Sequence, residues 1–174
     1  MRQEEMTASI PSSLLVVEDN AQLGKYLRNT LENAGYLVTL AASGESAFSH
    51  LKRESFDLVL LDLMLDEIHG LDILRVIRRQ DRFLPVIIVS TSVDIATKVD
   101  GFEHGCDDYL TKPFYSEELL CRVKRQLALR AEHAASGKAD NAILDTMSLP
   151  PFQLDLRNSK LYVHGKPVEI RRKL

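Results

Sequence analysis

Residues 58–65 read LVLLDLML: seven apolar side chains interrupted by one acid, Asp62. The run has no polar alternation, so it reads as a β-strand covered on both faces, as in a parallel sheet flanked by helices. A carboxylate buried in such a run without a partner is costly. Asp62 therefore marks a place where other charges should converge.

The flanking sequence repeats the pattern. SLLVV (13–17), YLVTLAA (36–42) and PVIIVS (85–90) read as strands, and DYLTKPF (108–114) holds a short fifth. Between them, apolar residues recur at helical spacing. Leu23, Leu27, Leu31 and Ala34 form one set, closed by Gly35; Glu18, Asp19 and Asn20 end the strand before it. Ser43 stands as an N-cap before Ala47, Phe48 and Leu51, and Gly70 precedes Leu71, Leu74 and Ile77. Ile95, Val99 and Phe102 define a weaker helix with Gly101 inside it. Because glycine costs a helix about 1 kcal/mol relative to alanine, this helix is expected to be the most mobile. Ser116 is placed to cap the last helix, with Glu117 and Glu118 in its first turn and Leu120, Val123 and Leu127 on its inner face. Strands alternating with helices predict an α/β fold around a parallel sheet.

The 174 residues exceed a typical domain of roughly 100–150, with little left for a second. A formal net charge of −3 gives no basic signature for nucleic acid. Cys106 and Cys121 form no close-spaced pair and read as free thiols. No apolar run approaches the ~18 residues of a membrane span. The start, MRQEEMTASIPSS, lacks the apolar core of a signal peptide, so a cytoplasmic protein without membrane contact is expected.

Organisation follows from texture. Residues 1–12 read as an N-terminal extension and 13–130 as the main domain. The small, polar stretch AEHAASGKADNA lies within a linker assigned to 131–148. From 149 to 174 the apolar residues become period-two: Phe152, Leu154 and Leu156, then Leu161 and Val163, then Val168 and Ile170. That predicts a short antiparallel β-meander.

In open parallel sheets, ligands sit beyond the carboxyl ends of the strands. Those ends deliver Glu18 and Asp19, then Asp62, then Ser90 and Thr91, then Lys112 followed by Pro113. Three clustered carboxylates stay ionised only beside a cation, and an all-oxygen set favours Mg²⁺ over zinc. A metal ion together with an ammonium suits a phosphoryl group, which makes Asp62 a candidate nucleophile. The bland alternative is that charges at strand ends simply mark exits to solvent, and Asp66, Glu67, Asp107 and Asp108 read in that sense. A cis Lys112-Pro113 bond would turn the lysine back into the site, although trans has the higher base rate.

VVEDN, LVLLDLM, PVIIVSTS and GCDDYLTKPF, in this order and spacing, resemble the receiver domain of bacterial two-component response regulators. The resemblance implies a flavodoxin-like, doubly wound five-stranded sheet in the order 2-1-3-4-5. It implies that Glu18, Asp19, Asp62 and the backbone carbonyl of Met64 hold Mg²⁺, and that Asp62 takes phosphate from a sensor histidine kinase. It also implies that Ser90 and Lys112, with Thr91 beside them, bind phosphoryl oxygens, and that Tyr109 is an aromatic switch turning inward when Ser90 moves. LDEIHG departs from the proline- or glycine-rich turn usual after the acceptor, and His69 there reads as a solvent-facing residue rather than a ligand. The tail LPPFQLDLRNSKLYVHGKPVEI is similar to the β-meander that opens the winged-helix DNA-binding domain of the OmpR/PhoB class. In that class the helices that read DNA follow this meander, so the intact protein is expected to bind DNA and regulate transcription, whereas this chain alone is not. The small sheet without those helices is expected to be less well ordered than 13–130. Phosphorylated receivers of this class form homodimers, which directs attention to Lys98, Glu103, Asp107, Asp108 and Arg122; the alternative for each is an ordinary solvated charge.

Two other functions compete. One is an aspartyl-phosphate phosphatase, disfavoured because such enzymes carry a second acid two residues after the nucleophile, where this chain has Met64. The other is a stand-alone receiver signalling by protein contact. Met64 and Ser92 lie beside the site, placed to tune water access to a phosphoryl group.

Overall fold

The computed structural model describes residues 10–66 and 68–135, and beyond them the backbone of four short strands. Most of the N-terminal extension, Glu67, and residues 136–145 of the expected linker lie outside the described residues. The chain divides into two units, residues 1–132 and 133–174.

The first unit alternates strand and helix: β1 (Ser13–Val17), α1 (Ala21–Asn33), β2 (Leu37–Ala41), α2 (Gly44–Arg53), β3 (Leu58–Leu61), α3 (Gly70–Gln80), β4 (Val86–Ser90), α4 (Ile95–Glu103), β5 (Asp108–Thr111) and α5 (Ser116–Ala135). All five strands are parallel, in the order β2-β1-β3-β4-β5. The apolar runs dictate this arrangement, because β1, β3 and β4 are buried on both faces. Alternate residues of each strand feed two separate cores. Leu15, Val17, Val59, Leu61 and Ile88 join Ile73, Leu74 and Ile77 of α3 on one face. Leu14, Val16, Leu60, Ile87 and Leu110 join Leu27, Leu31, Leu119 and Val123 on the other.

Several local readings change. The third strand ends at Leu61, so Asp62 and LML belong to the loop beyond it. On α5 the deeply buried positions are Leu119, Val123 and Gln126, while Leu120 and Leu127 are only partly buried. The helix is rotated relative to the expected face because Leu119 meets the second core. Ser116 is the first residue of α5 and its hydroxyl donates to Glu117 Oε2 at 3.1 Å. Helix α5 runs to Ala135 and a strand begins at Thr146, both inside the stretch read as linker.

Asp107 and Asp108 are not solvent exits. Asp107 accepts from Arg78 Nη2 at 2.6 Å and from the Val86 backbone N–H at 2.8 Å. Arg78 also donates to the carbonyls of Gly105 and Leu84, both at 2.7 Å, tying α3 to the edges of β4 and β5. Burial raises the Asp107 carboxyl above the usual range even with Arg78 alongside, so the guanidinium offsets only part of the desolvation. Arg78→Met should lower unfolding free energy by about 2 kcal/mol, since two carbonyls and a partly buried carboxylate lose their donor. Urea denaturation checks this, and a variant with wild-type stability would show the network to be incidental.

The second unit contains β6 (Thr146–Leu149), β7 (Phe152–Asp155), β8 (Lys160–Val163) and β9 (Lys166–Val168), paired antiparallel in chain order. The side chains of that sheet, and its order relative to 13–130, lie outside the described residues.

Candidate functional site

Strand pairing places the candidate residues at one edge of the sheet. The backbone N–H of Glu18 donates to the Ala41 carbonyl at 3.0 Å, and that of Asp62 donates to Val17 at 3.0 Å. The ends of β1, β2 and β3 are thereby locked in step. The Lys112 backbone N–H donates to the Ser90 carbonyl at 2.8 Å, which does the same for β4 and β5.

Within this frame Glu18 and Asp62 are buried, at 2% and 5% exposure, and Asp19 is half-buried. Carboxylate oxygens of Glu18, Asp19 and Asp62 all lie within 4.8 Å of one another. Lys112 Nζ donates to Glu18 Oε2 at 2.8 Å and to Asp62 Oδ2 at 2.6 Å, bridging residues from the first and third strands. The Lys112-Pro113 bond is cis. The other Asp62 oxygen accepts from the Met64 N–H at 3.0 Å, and Glu18 Oε1 accepts from the Asn20 N–H at 3.2 Å. Burial raises the Glu18 carboxyl despite the ammonium beside it. Burial works against a charged Lys112, but hydrogen bonds to Asp62 and Glu18 outweigh it and raise its pKa, so the amine stays protonated.

The donor set fits a hard divalent cation: three carboxylates, with a backbone loop carrying Met64 adjacent. The mutual repulsion of those carboxylates is already balanced in part by the lysine.

The remaining candidates sort themselves by position. Ser90 is fully buried at the end of β4, and its Oγ accepts from the Ser92 N–H at 3.2 Å. Thr91 is exposed and lines a cleft with Leu23, Tyr26, Lys112, Pro113 and Phe114. Tyr109 is buried, 7% exposed, and its hydroxyl donates to the Ser92 carbonyl at 3.2 Å. Burial raises the Tyr109 phenol, which therefore keeps the proton it donates. Of the five charges considered for a dimer surface, Glu103 is exposed. Asp107 is bound to Arg78, and Asp108 is buried at 2% exposure with its Oδ1 accepting from Arg122 Nη1 at 2.7 Å. Arg122 also donates to Glu118 at 2.8 Å, and Lys98 lies over the Tyr109 ring. His69 is exposed, and its Nδ1 caps α3 by accepting from the Leu71 N–H at 3.3 Å.

Two supporting residues escaped the sequence reading. In sequence Asn20 reads only as the end of a strand, yet its side chain caps α1 by accepting from the Gln22 and Leu23 N–H groups at 3.1 and 3.0 Å. An asparagine directly before a helical run was the available signal. Gly70 begins α3 packed against the backbone of Asp62 and Leu63, a proximity with no local signature.

Comparison with known proteins agrees with this geometry. The response regulator receiver domain model matches residues 14–124. The chain is 34% identical over 159 residues to the sensory transduction protein RegX3 of Mycolicibacterium smegmatis, covering 91% of this chain and 68% of that one. It is 40% identical over 114 residues to the transcriptional regulatory protein CusR of Escherichia coli, covering 66% of this chain and 50% of the relative. Among solved structures, the response regulator DrrB, a Thermotoga maritima OmpR/PhoB homolog, matches with a TM-score of 0.68 at 27% identity, covering 93% of this chain and 68% of DrrB. The chain thus spans about two thirds of RegX3 and half of CusR. The family match, the 2-1-3-4-5 sheet and the carboxylate cluster at its edge together place this chain in the response regulator receiver domain family of two-component signalling.

Proposed function

We propose that this chain is a phosphorylation switch in which Asp62 is the acceptor. The observation that carries it is the Asp62 carboxylate at the mouth of β3, with the Lys112 ammonium at 2.6 Å and Glu18 and Asp19 grouped beside it. An Asp62 oxygen attacks the phosphorus of a kinase phosphohistidine; the P–N bond breaks, and its electron pair stays on the imidazole, which takes a proton. Lys112 pairs with a phosphoryl oxygen, and Ser90 and Thr91 supply hydroxyls. Glu18, Asp19, Asp62 and the Met64 carbonyl would hold a Mg²⁺ ion, which when bound balances charge on the phosphoryl oxygens. Tyr109 and Ser90 form the responding pair through Ser92, and the α4–β5–α5 face forms the dimer contact. The whole protein would be a cytoplasmic transcription regulator served by a sensor kinase and binding DNA.

Receiver domains are not enzymes of the ordinary kind, and the phosphatase alternative finds no support at Met64, whose side chain is exposed and carries no acid. Among the described residues no helix is long and apolar enough to cross a membrane. The test is intact-mass measurement after incubation with acetyl phosphate and Mg²⁺. The wild type should gain one phosphoryl adduct and Asp62→Asn none; an adduct that persists in the variant refutes the assignment.

A further inference from the structure

The α4 helix carries only one fully buried residue, Gly101. A Cβ there would lie 2.9 Å from Ile88 Cδ1 and 3.9 Å from Tyr109 Cδ2, so this face of α4 sits directly on β4 and the Tyr109 ring. Lys98, three residues earlier and hence on the same face, extends over that ring, with Nζ 5.3 Å from its centroid. Among the described residues no carboxylate lies within ion-pair distance of Lys98. Its ammonium is directed at the electron-rich ring face instead.

We propose that Lys98 is a positioning residue for the switch: its ammonium covers the outer face of Tyr109 and holds the ring buried, with the hydroxyl on the Ser92 carbonyl. This rests on the reading of Asp62 as acceptor and Tyr109 as the responding ring. A cation over an aromatic face favours the one orientation that presents that face. If the buried ring belongs to the state favoured by an anion on Asp62, stabilising the ring stabilises that state equally. Lys98 then acts on Asp62 only through Tyr109.

The test uses the whole 174-residue chain with beryllofluoride and Mg²⁺ as the phosphoryl mimic, read by titration of the NMR signals of labelled tyrosine. Lys98→Met should weaken beryllofluoride binding about three- to tenfold, as loss of one cation–π contact implies. Lys98→Arg should restore it, since a guanidinium also covers a ring. In a Tyr109→Leu background Lys98→Met should have no further effect. Wild-type affinity in Lys98→Met, or an equal loss in the Tyr109→Leu background, would overturn the proposal while leaving Asp62 as acceptor intact. Failure of the wild type to bind beryllofluoride at all would overturn both readings.

Discussion

Gly70→Ala should both destabilise the domain and slow phosphoryl uptake. A Cβ on Gly70 would run into the backbone oxygen of Asp62 and lie 2.7 Å from Leu63 Cα. Neither obstacle is a flexible side chain, so relief requires moving the start of α3 or the acceptor loop. The Gly70 N–H also donates to the Leu63 carbonyl at 3.0 Å, a bond that fixes the spacing between them. Overpacking against backbone puts the expected cost near about 3 kcal/mol, the upper part of the usual range. Displacement of the Asp62 carboxylate by even ~1 Å should slow acyl phosphate formation about 100-fold. Denaturant unfolding and the time course of adduct formation measure the two effects separately. An alanine variant with unchanged stability and rate would show that α3 does not rest on the acceptor loop.

Lys112→Met should be the more severe change for stability. It leaves Glu18 and Asp62, both buried, without the ammonium now 2.8 and 2.6 Å away. Stripping a buried ion pair of one member costs about 3–5 kcal/mol. Divalent cations should return part of this, because the same carboxylates would then be neutralised by the metal, so Mg²⁺ should raise Tm more in the variant than in the wild type. The pH dependence has a definite sign. Burial already raises the Glu18 pKa, and losing Lys112 raises it further, so the folded variant binds a proton that the unfolded chain releases. Stability gained by that proton is present at low pH and lost as pH rises through the folded pKa. The deficit relative to wild type should therefore grow as pH rises above the ordinary carboxylate range. A deficit that shrinks over this rise, or no differential response to Mg²⁺, would contradict the pairing.

Much of this architecture was legible because it follows from hydrophobic periodicity. The strands of SLLVV, LVLL and PVIIVS are buried on both faces, and parallel pairing then obliges the carboxyl ends of the five strands to share an edge. Glu18, Asp62 and Lys112 could be grouped without coordinates for that reason. What was not legible depends on distances across the fold. Asp108 stands at the start of a strand and looked like an exit to solvent, but Arg122, fourteen residues later, folds back to cover it. Leu119 and Leu120 are adjacent and equally apolar, and only the rotation of α5 on the second core decides between them. Gly70 looks like any helix-starting glycine until the Asp62 carbonyl is placed behind it. The Lys98 and Tyr109 pairing needs two elements brought together by β4 and β5, which no spacing encodes.

The ammonium at the acceptor site comes from a residue 50 positions after Asp62 and 94 after Glu18. During synthesis on a ribosome, the first four strands emerge before this cation does, because Lys112 lies beyond the end of β4 in the chain. A nascent chain therefore cannot complete its acceptor early, however well its first half has folded. On the proposed reading of Asp62, competence to take up phosphate is acquired only when the last strand docks.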